Sequence, residues 1–331
     1  MATVLGALRR LVLAPALSDV GFAGRGFRVP PSDASRRLEA IPQAVVCGFE
    51  WGIEDRHLAD TERRLAMVDP AVRGFAYEGA TMACVIRDVM VPGRHRTGDL
   101  LRGGGRPHIF LNYIGIGFAL ARLPRRLWRR AVPELTGAEY YPAMSWLAVD
   151  GYGFDLAYFR TDRWIDGQHI PRPYAWEGEA GYFPRAVDQG IGRALWFVHG
   201  GRTDHVTAAV RRFALGRQAD LWSGVGLAAT FAGGTTAEAL AALGEDAGEH
   251  RDHVAQGAVF AAKARHHAGY VPEHCHTATR ALTGLEVEAA ARLADDCSVS
   301  ATATGGAPAY EIWRRGVRDR LPLTTVRART K

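Results

Sequence analysis

Asp150-Gly151-Tyr152-Gly153-Phe154-Asp155-Leu156-Ala157-Tyr158-Phe159 stands between two halves of a 331-residue chain that look like diverged copies of each other. Glycines on both sides of Tyr152 disfavour a helix and clear the space around that ring. The spacing therefore predicts a turn, or a place where the backbone comes close to another element. Two carboxylates and four aromatic rings meet there. A turn between two halves is a natural wall for a ligand cavity, with Asp150 and Tyr152 facing it.

Working outward, Phe49 to Ala66 can be laid on Phe197 to Ala214 without a gap, matching Gly52 with Gly200, His57 with His205, and Arg63-Arg64 with Arg211-Arg212. The order continues as Tyr77-Glu78-Gly79 on Trp222-Ser223-Gly224, and as Gly115, Phe118 and Ala119 on Gly257, Phe260 and Ala261. A period of about 145 residues is too long for a solenoid and points to one duplicated unit.

Both halves carry helical periodicity. Leu58 to Val68, Ile109 to Arg122, Thr203 to Leu215, Asp220 to Ala232, Thr236 to Leu243, His250 to His267 and Thr277 to Asp295 read as helices, with Gly233-Gly234 and Gly244 as stops. Gly79, Gly115, Gly117, Gly224 and Gly257 let helices approach closely. Gly93 to Pro107 reads as a surface loop, Asp162 to Pro184 as a long loop packed by its aromatics, and the tail from Pro322 as frayed.

The composition, 47% apolar and 23% charged, is that of a globular chain large enough for one big core. Cys47, Cys84, Cys275 and Cys297 show no paired spacing, so reduced thiols in the cytoplasm are expected. The net charge of +6 lies in short runs such as Arg125 to Arg130 and in the tail, with no nucleic-acid-binding signature beside them, so no nucleic-acid partner is expected. Met1 to Leu17 is too short for a span and lacks a cleavage site. It reads as an amphipathic helix packed on the body or, as the second reading, lying on a membrane surface beside a membrane-bound partner.

No nucleotide fingerprint, P-loop or nucleophile elbow is present, and no organic cofactor is expected. His250-x-x-His253 and His274-Cys275-His276 have metal-like spacing, but the first half has no counterpart and the first pair begins a charged, solvated helix, so no metal is expected. Glu50, Glu78, Asn112, Asp150, Tyr152, Asp155, Asp188, Gln189 and Arg193 lie in glycine-rich or apolar surroundings. Burial there would push a carboxylate into the range useful for proton transfer. Glu78, Asp150, Tyr152 and Asp188 are the candidate catalytic residues. Tyr77, Asn112, Phe154, Asp155, Gln189, Arg193, Trp196 and Trp222 are the candidate substrate contacts, a set that suits a long, flat, apolar guest.

Gly74-Phe-Ala-Tyr-Glu-Gly-Ala80, Gly115-Ile-Gly-Phe-Ala-Leu-Ala-Arg122, Asp150-Gly-Tyr-Gly-Phe154, Asp188-Gln-Gly-Ile-Gly-Arg-Ala-Leu-Trp-Phe197 and Gln256-Gly-Ala-Val-Phe-Ala-Ala-Lys-Ala-Arg265 together resemble the uncharacterised bacterial family encoded beside enediyne polyketide synthases. The resemblance runs from Phe22 to about Ala294. It implies a role in converting a linear conjugated polyene, made by an iterative polyketide synthase, into an enediyne core, alongside companion proteins of the same cassette, some membrane-embedded. A non-catalytic polyene carrier or self-protection protein is the alternative. Asp155 stands where the resemblance leads one to expect a histidine, which argues against a mechanism needing an imidazole there.

The expected architecture is mainly α, with room for minor strands. A lead-in over 1–40 precedes a single duplicated domain over 41–331: a first repeat over 41–142, an aromatic middle over 143–181, a second repeat over 182–282, then C-terminal helices and a basic tail. A homodimer is left open.

Overall fold

Gly151 and Gly153 do not make a turn. In the computed structural model, which describes residues 4–91, 93, 95–299 and 307–322, they lie inside a regular helix. The helices run α1 (Val4–Leu13), α2 (Leu17–Val20), α3 (Asp33–Glu54), α4 (Leu58–Ala66), α5 (Pro70–Met90), α6 (Arg96–Arg102), α7 (Ile109–Arg122), α8 (Trp128–Ala131) and α9 (Leu147–Phe159). They continue as α10 (Phe183–Val198), α11 (Thr203–Arg211), α12 (Leu215–Ala232), α13 (Ala237–Asp246), α14 (Arg251–His267), α15 (Glu273–Thr283), α16 (Val287–Asp296) and α17 (Ala309–Arg320). Among the described residues there is no strand, so the fold is all helical.

The second half of the glycine expectation holds: the backbone does come close to its neighbours. Residues two apart on a helix point to nearly opposite sides. A Cβ on Gly151 would fall 2.3 Å from the Ile114 carbonyl oxygen of α7, and one on Gly153 2.3 Å from the Val187 carbonyl oxygen of α10. Helix α9 is thus wedged backbone to backbone between two neighbours, close enough for Cα–H to carbonyl contacts. The same pair recurs on α7 (Gly115, Gly117), α10 (Gly190, Gly192) and α12 (Gly224, Gly226), each glycine meeting a carbonyl of an adjacent helix. With Gly48 on α3, Gly79 on α5 and Gly257 on α14, these notches align α3, α5, α7, α9, α10, α12 and α14 in one row.

The row curls on itself. Arg265 of α14 donates to the Ala71 carbonyl of α5 at 2.9 Å, and Phe75 of α5 meets Phe231 of α12 edge-on at 5.3 Å. The shorter helices α4, α6, α8, α11, α13 and α15 contribute nothing to the enclosed space.

Two packing patterns recur. A 3-10 turn precedes both α7 (Arg106–His108) and α14 (Gly248–His250). Gly48, Gly79 and Gly115 meet Ala76, Val45 and Glu78, while Gly192, Gly224 and Gly257 meet Leu221, Gln189 and Ser223. These contacts set Gly48 against Gly192, about one helical turn away from the register that lays Phe49 on Phe197. Pseudo-symmetry of the halves stays an expectation, which superposing them would test.

Other boundaries move for local reasons. The stretch 93–107 contains α6, whose Leu100 and Leu101 are buried, rather than a plain surface loop. Thr277 to Asp295 is two helices, because Gly284 adopts a left-handed φ of 73° and caps α15. Gly244 continues α13 instead of stopping it. The stretch 162–184 packs by its aromatics as expected, with Trp164 and Trp176 buried and Tyr174 against Trp128. Helix α1 leans on α3 through Arg10 and Glu54 at 3.5 Å but leaves Val4, Leu8, Leu11 and Val12 exposed. No helix among the described residues is long and apolar enough to cross a membrane. The expected frayed tail beyond Pro322 lies outside the described residues.

Candidate functional site

The curled row encloses a cavity of about 580 Å³, walled by every helix of the row. Along α7 the lining residues are Phe110, Leu111, Ile114, Phe118 and Arg122, at least one per turn. At 1.5 Å rise per residue that face is roughly 18 Å long, room for an extended guest. Phe49, Phe75, Phe154, Phe197, Phe231 and Phe260 supply aromatic wall from the other helices. The lining residues Val12, Leu13, Asp19 and Arg122 reach solvent and mark the mouth, between the α1–α2 segment and the end of α7. Among the described residues, the charged ones in the lining are Asp19, Arg25, Glu78, Arg122, Asp155 and Arg193.

Of these, Glu78 and Arg193 lie deep. The Glu78 main chain packs on Gly115, about midway along the lining face of α7. Its carboxyl group is fully buried, and burial, opposed by Arg193 and reinforced by Asp150, raises its pKa to about 8. It therefore holds its proton at neutral pH. Arg193 donates from Nη1 to Asp150 Oδ1, while its Nη2 stands 3.9 Å from Glu78 Oε1, beyond hydrogen-bond reach. Burial also raises the Asp150 pKa, opposed by the direct contact with Arg193. Glu78 Oε1 and Asp150 Oδ2 have no hydrogen-bond partner. Two orphaned buried oxygens in one cluster are unusual enough to mark a place where something else binds.

A family model matches residues 4–321. The chain belongs to the DUF1702 family, described as a protein of unknown function. No curated protein and no solved structure matches it.

In this DUF1702 chain the candidate residues named from sequence fall into two groups. Glu78, Asp150, Arg193, Phe154 and Asp155 converge on the cavity wall, Asp150 through Arg193 and not as a lining residue. The others lie elsewhere. Tyr152 faces away, its ring edge-on to Trp128 at 4.9 Å, because the helix that replaces the expected turn points it outward. Asp188 is held by Arg217 at 2.6 Å. Tyr77 stacks by His108 at 4.7 Å in a separate small core, and Asn112 donates to the Gly105 carbonyl. Gln189 donates to Tyr182 at 3.1 Å, Trp196 bonds the Gly233 carbonyl at 2.8 Å, and Trp222 is buried outside the lining. Glu50 is half-buried and also outside it.

The mouth has its own geometry. Arg122 pairs with Asp155 at 2.9 Å, and the Arg122 and Arg25 guanidiniums both lie over the Phe159 ring, at 4.5 and 5.0 Å. Burial raises Asp155 to about 6 despite these cations. The histidine motifs do not assemble. His274 bonds the Phe231 carbonyl, Cys275 is buried beside Thr279, and among the described residues no three His, Cys, Asp or Glu converge on a common point.

Sequence reasoning missed most of the aromatic wall. One signal was available: Phe110, Ile114 and Phe118 repeat at four residues on α7, and Phe75, Glu78, Met82 and Ile86 form a stripe on α5 that places Glu78 on the same face as apolar neighbours.

Proposed function

We propose that this protein binds one long, apolar, conjugated small molecule in its cavity and that Glu78 gives acid/base help in converting it. The observation that carries this reading is a deep acid, proton-bearing at neutral pH, beside a buried arginine in a chamber about 18 Å long whose wall is mainly aromatic and aliphatic. A phosphate or sugar would strand its polar groups against that wall. A linear polyene fits the shape, and the motif resemblance gives the setting: an enediyne cassette, with companion proteins receiving or supplying the guest. The chemistry asked of the chain is modest. Glu78 sits next to a fixed positive charge, so it can release and regain a proton without a large change in its surroundings. A second reading, a carrier that shields an unstable polyene and hands it on, is favoured by the mainly apolar wall.

The two separate in a reconstituted cassette. Glu78→Gln and Asp150→Asn should keep binding of a conjugated heptaene, read as an absorbance shift, while product formation falls at least about a hundredfold. Asp188→Asn, outside the cavity, should leave product formation unchanged. Undiminished product from Glu78→Gln would make the protein a carrier.

A further inference from the structure

Glu78 Oε1 and Arg193 Nη2 are 3.9 Å apart, both residues line the cavity, and neither satisfies the other. That separation is too long for one hydrogen bond and suits a single oxygen atom accepting from both. Asp150 occupies the other guanidinium nitrogen, which fixes the plane of Arg193 and keeps Nη2 aimed at the gap. Phe154 stacks against the guanidinium at 5.0 Å and limits its swing. The aliphatic and aromatic lining around the pair leaves the guest as the natural source of that oxygen.

We propose that Glu78 and Arg193 form a two-donor seat for one carbonyl oxygen, placed at mid-length in the guest, so that the ligand class is an oxygenated conjugated polyene, an enone or polyenone, rather than a pure hydrocarbon. This rests on the reading that the cavity holds a long apolar guest. Two donors on one oxygen polarise the carbonyl and the conjugated chain attached to it, as an oxyanion hole does, and this is the electronic change that acid help from Glu78 would exploit. A site built to donate to an oxygen discriminates against a guest lacking one, because the buried donors are then left unpaired.

Two rod-shaped probes test it on the full-length protein: 1,6-diphenylhexatriene, a hydrocarbon, and 1,5-diphenylpenta-1,4-dien-3-one, a ketone of similar length with its oxygen in the middle. The ketone should bind about tenfold or more tightly, with a red-shifted absorbance and a carbonyl stretch moved to lower frequency. Glu78→Leu, with folding verified by circular dichroism, should abolish the preference and the spectral shifts while keeping hydrocarbon binding. Equal affinities together with an unshifted carbonyl stretch in the wild-type protein would overturn the carbonyl seat and leave the cavity reading standing. Binding of neither probe would overturn the cavity reading itself.

Discussion

Two buried charge clusters in this protein differ in how completely they are satisfied. Between α10, α12 and α17, Arg314 is wholly buried and donates to Asp220, Glu311, Tyr182 and Gln256 at 2.6 to 2.9 Å, leaving only Nη2 open. Arg185 and Arg318 add further contacts to Asp220 and Glu311, and Gln189 ties Tyr182 to Tyr310. In the cavity wall, one guanidinium serves two carboxyls and touches only one of them. The titration behaviour follows. Burial works to raise both acids, yet the three arginines hold Glu311 down to about 2, whereas Glu78, out of reach of its cation, rises to about 8. The more densely bonded cluster, in which Arg314 Nη2 and Arg318 Nη1 alone lack a partner among the buried atoms of these side chains, fastens the last helix to the row. Under the proposed reading, the under-satisfied one keeps bonding capacity for the guest.

Removing Arg314 tests this contrast most severely. Arg314→Met removes the cation shared by two buried carboxylates, leaving Asp220 to Arg185 and Glu311 to Arg318, and should cost about 3–5 kcal/mol in chemical denaturation because buried charge is then under-compensated. A loss under about 1 kcal/mol would mean that the cluster does not hold α17.

The notches come next. A Cβ at Gly190 would lie 1.9 Å from the Asp150 carbonyl oxygen, so Gly190→Ala must push α9 from α10 next to the Glu78 site. We expect a loss of about 1–3 kcal/mol together with weakened polyene binding. Stability lost with binding intact would separate the helix row from the cavity.

Glu78→Gln should act on the pH dependence more than on the fold. An acid whose folded pKa lies above its unfolded value binds more protons when folded, so its burial costs stability progressively as pH rises from about 4.5 to about 8. Gln carries no such charge. The variant should match wild type near pH 5 and gain on it by up to about 1.4 kcal/mol per pH unit toward pH 8. Parallel stability curves for the two proteins would show that Glu78 is already ionised. His253, lowered to about 3 by burial, and His199, lowered to about 4, work on the acid side: they cost stability as pH falls below about 6.5.

The smallest effect is expected at Tyr152, which the sequence placed with Asp150 on the cavity wall. Tyr152 packs on Trp128 and Phe183 outside the cavity, so Tyr152→Phe should change stability by less than about 0.5 kcal/mol and leave guest affinity unchanged. A tenfold loss of affinity would put its hydroxyl back in the site.

Helix positions were legible because amphipathic periodicity and caps are local. Ile109–Arg122 is read to the residue, and Leu58 starts α4 as expected. That glycines mark close helix approaches was legible too. So was the suspicion attached to Glu78, Asp150 and Arg193, since an ionisable group in a glycine-rich apolar run loses its water wherever the helices close on each other. What the local pattern could not say is where each glycine points. Asp150-Gly-Tyr-Gly-Phe looks like a turn by propensity, and it becomes a helix because the carbonyls of Ile114 and Val187 occupy the space that side chains at 151 and 153 would need. The helix then decides the rest: it turns Tyr152 outward, Phe154 inward and Asp150 onto Arg193. Asp188 and Gln189 are as polar in sequence as Asp150, yet Arg217 and Tyr182 claim them first. Hydrophobic periodicity fixes an element from within a few residues, whereas loss of water and choice of partner depend on chain segments more than a hundred residues apart. Only the tertiary structure could leave Glu78 unpaired.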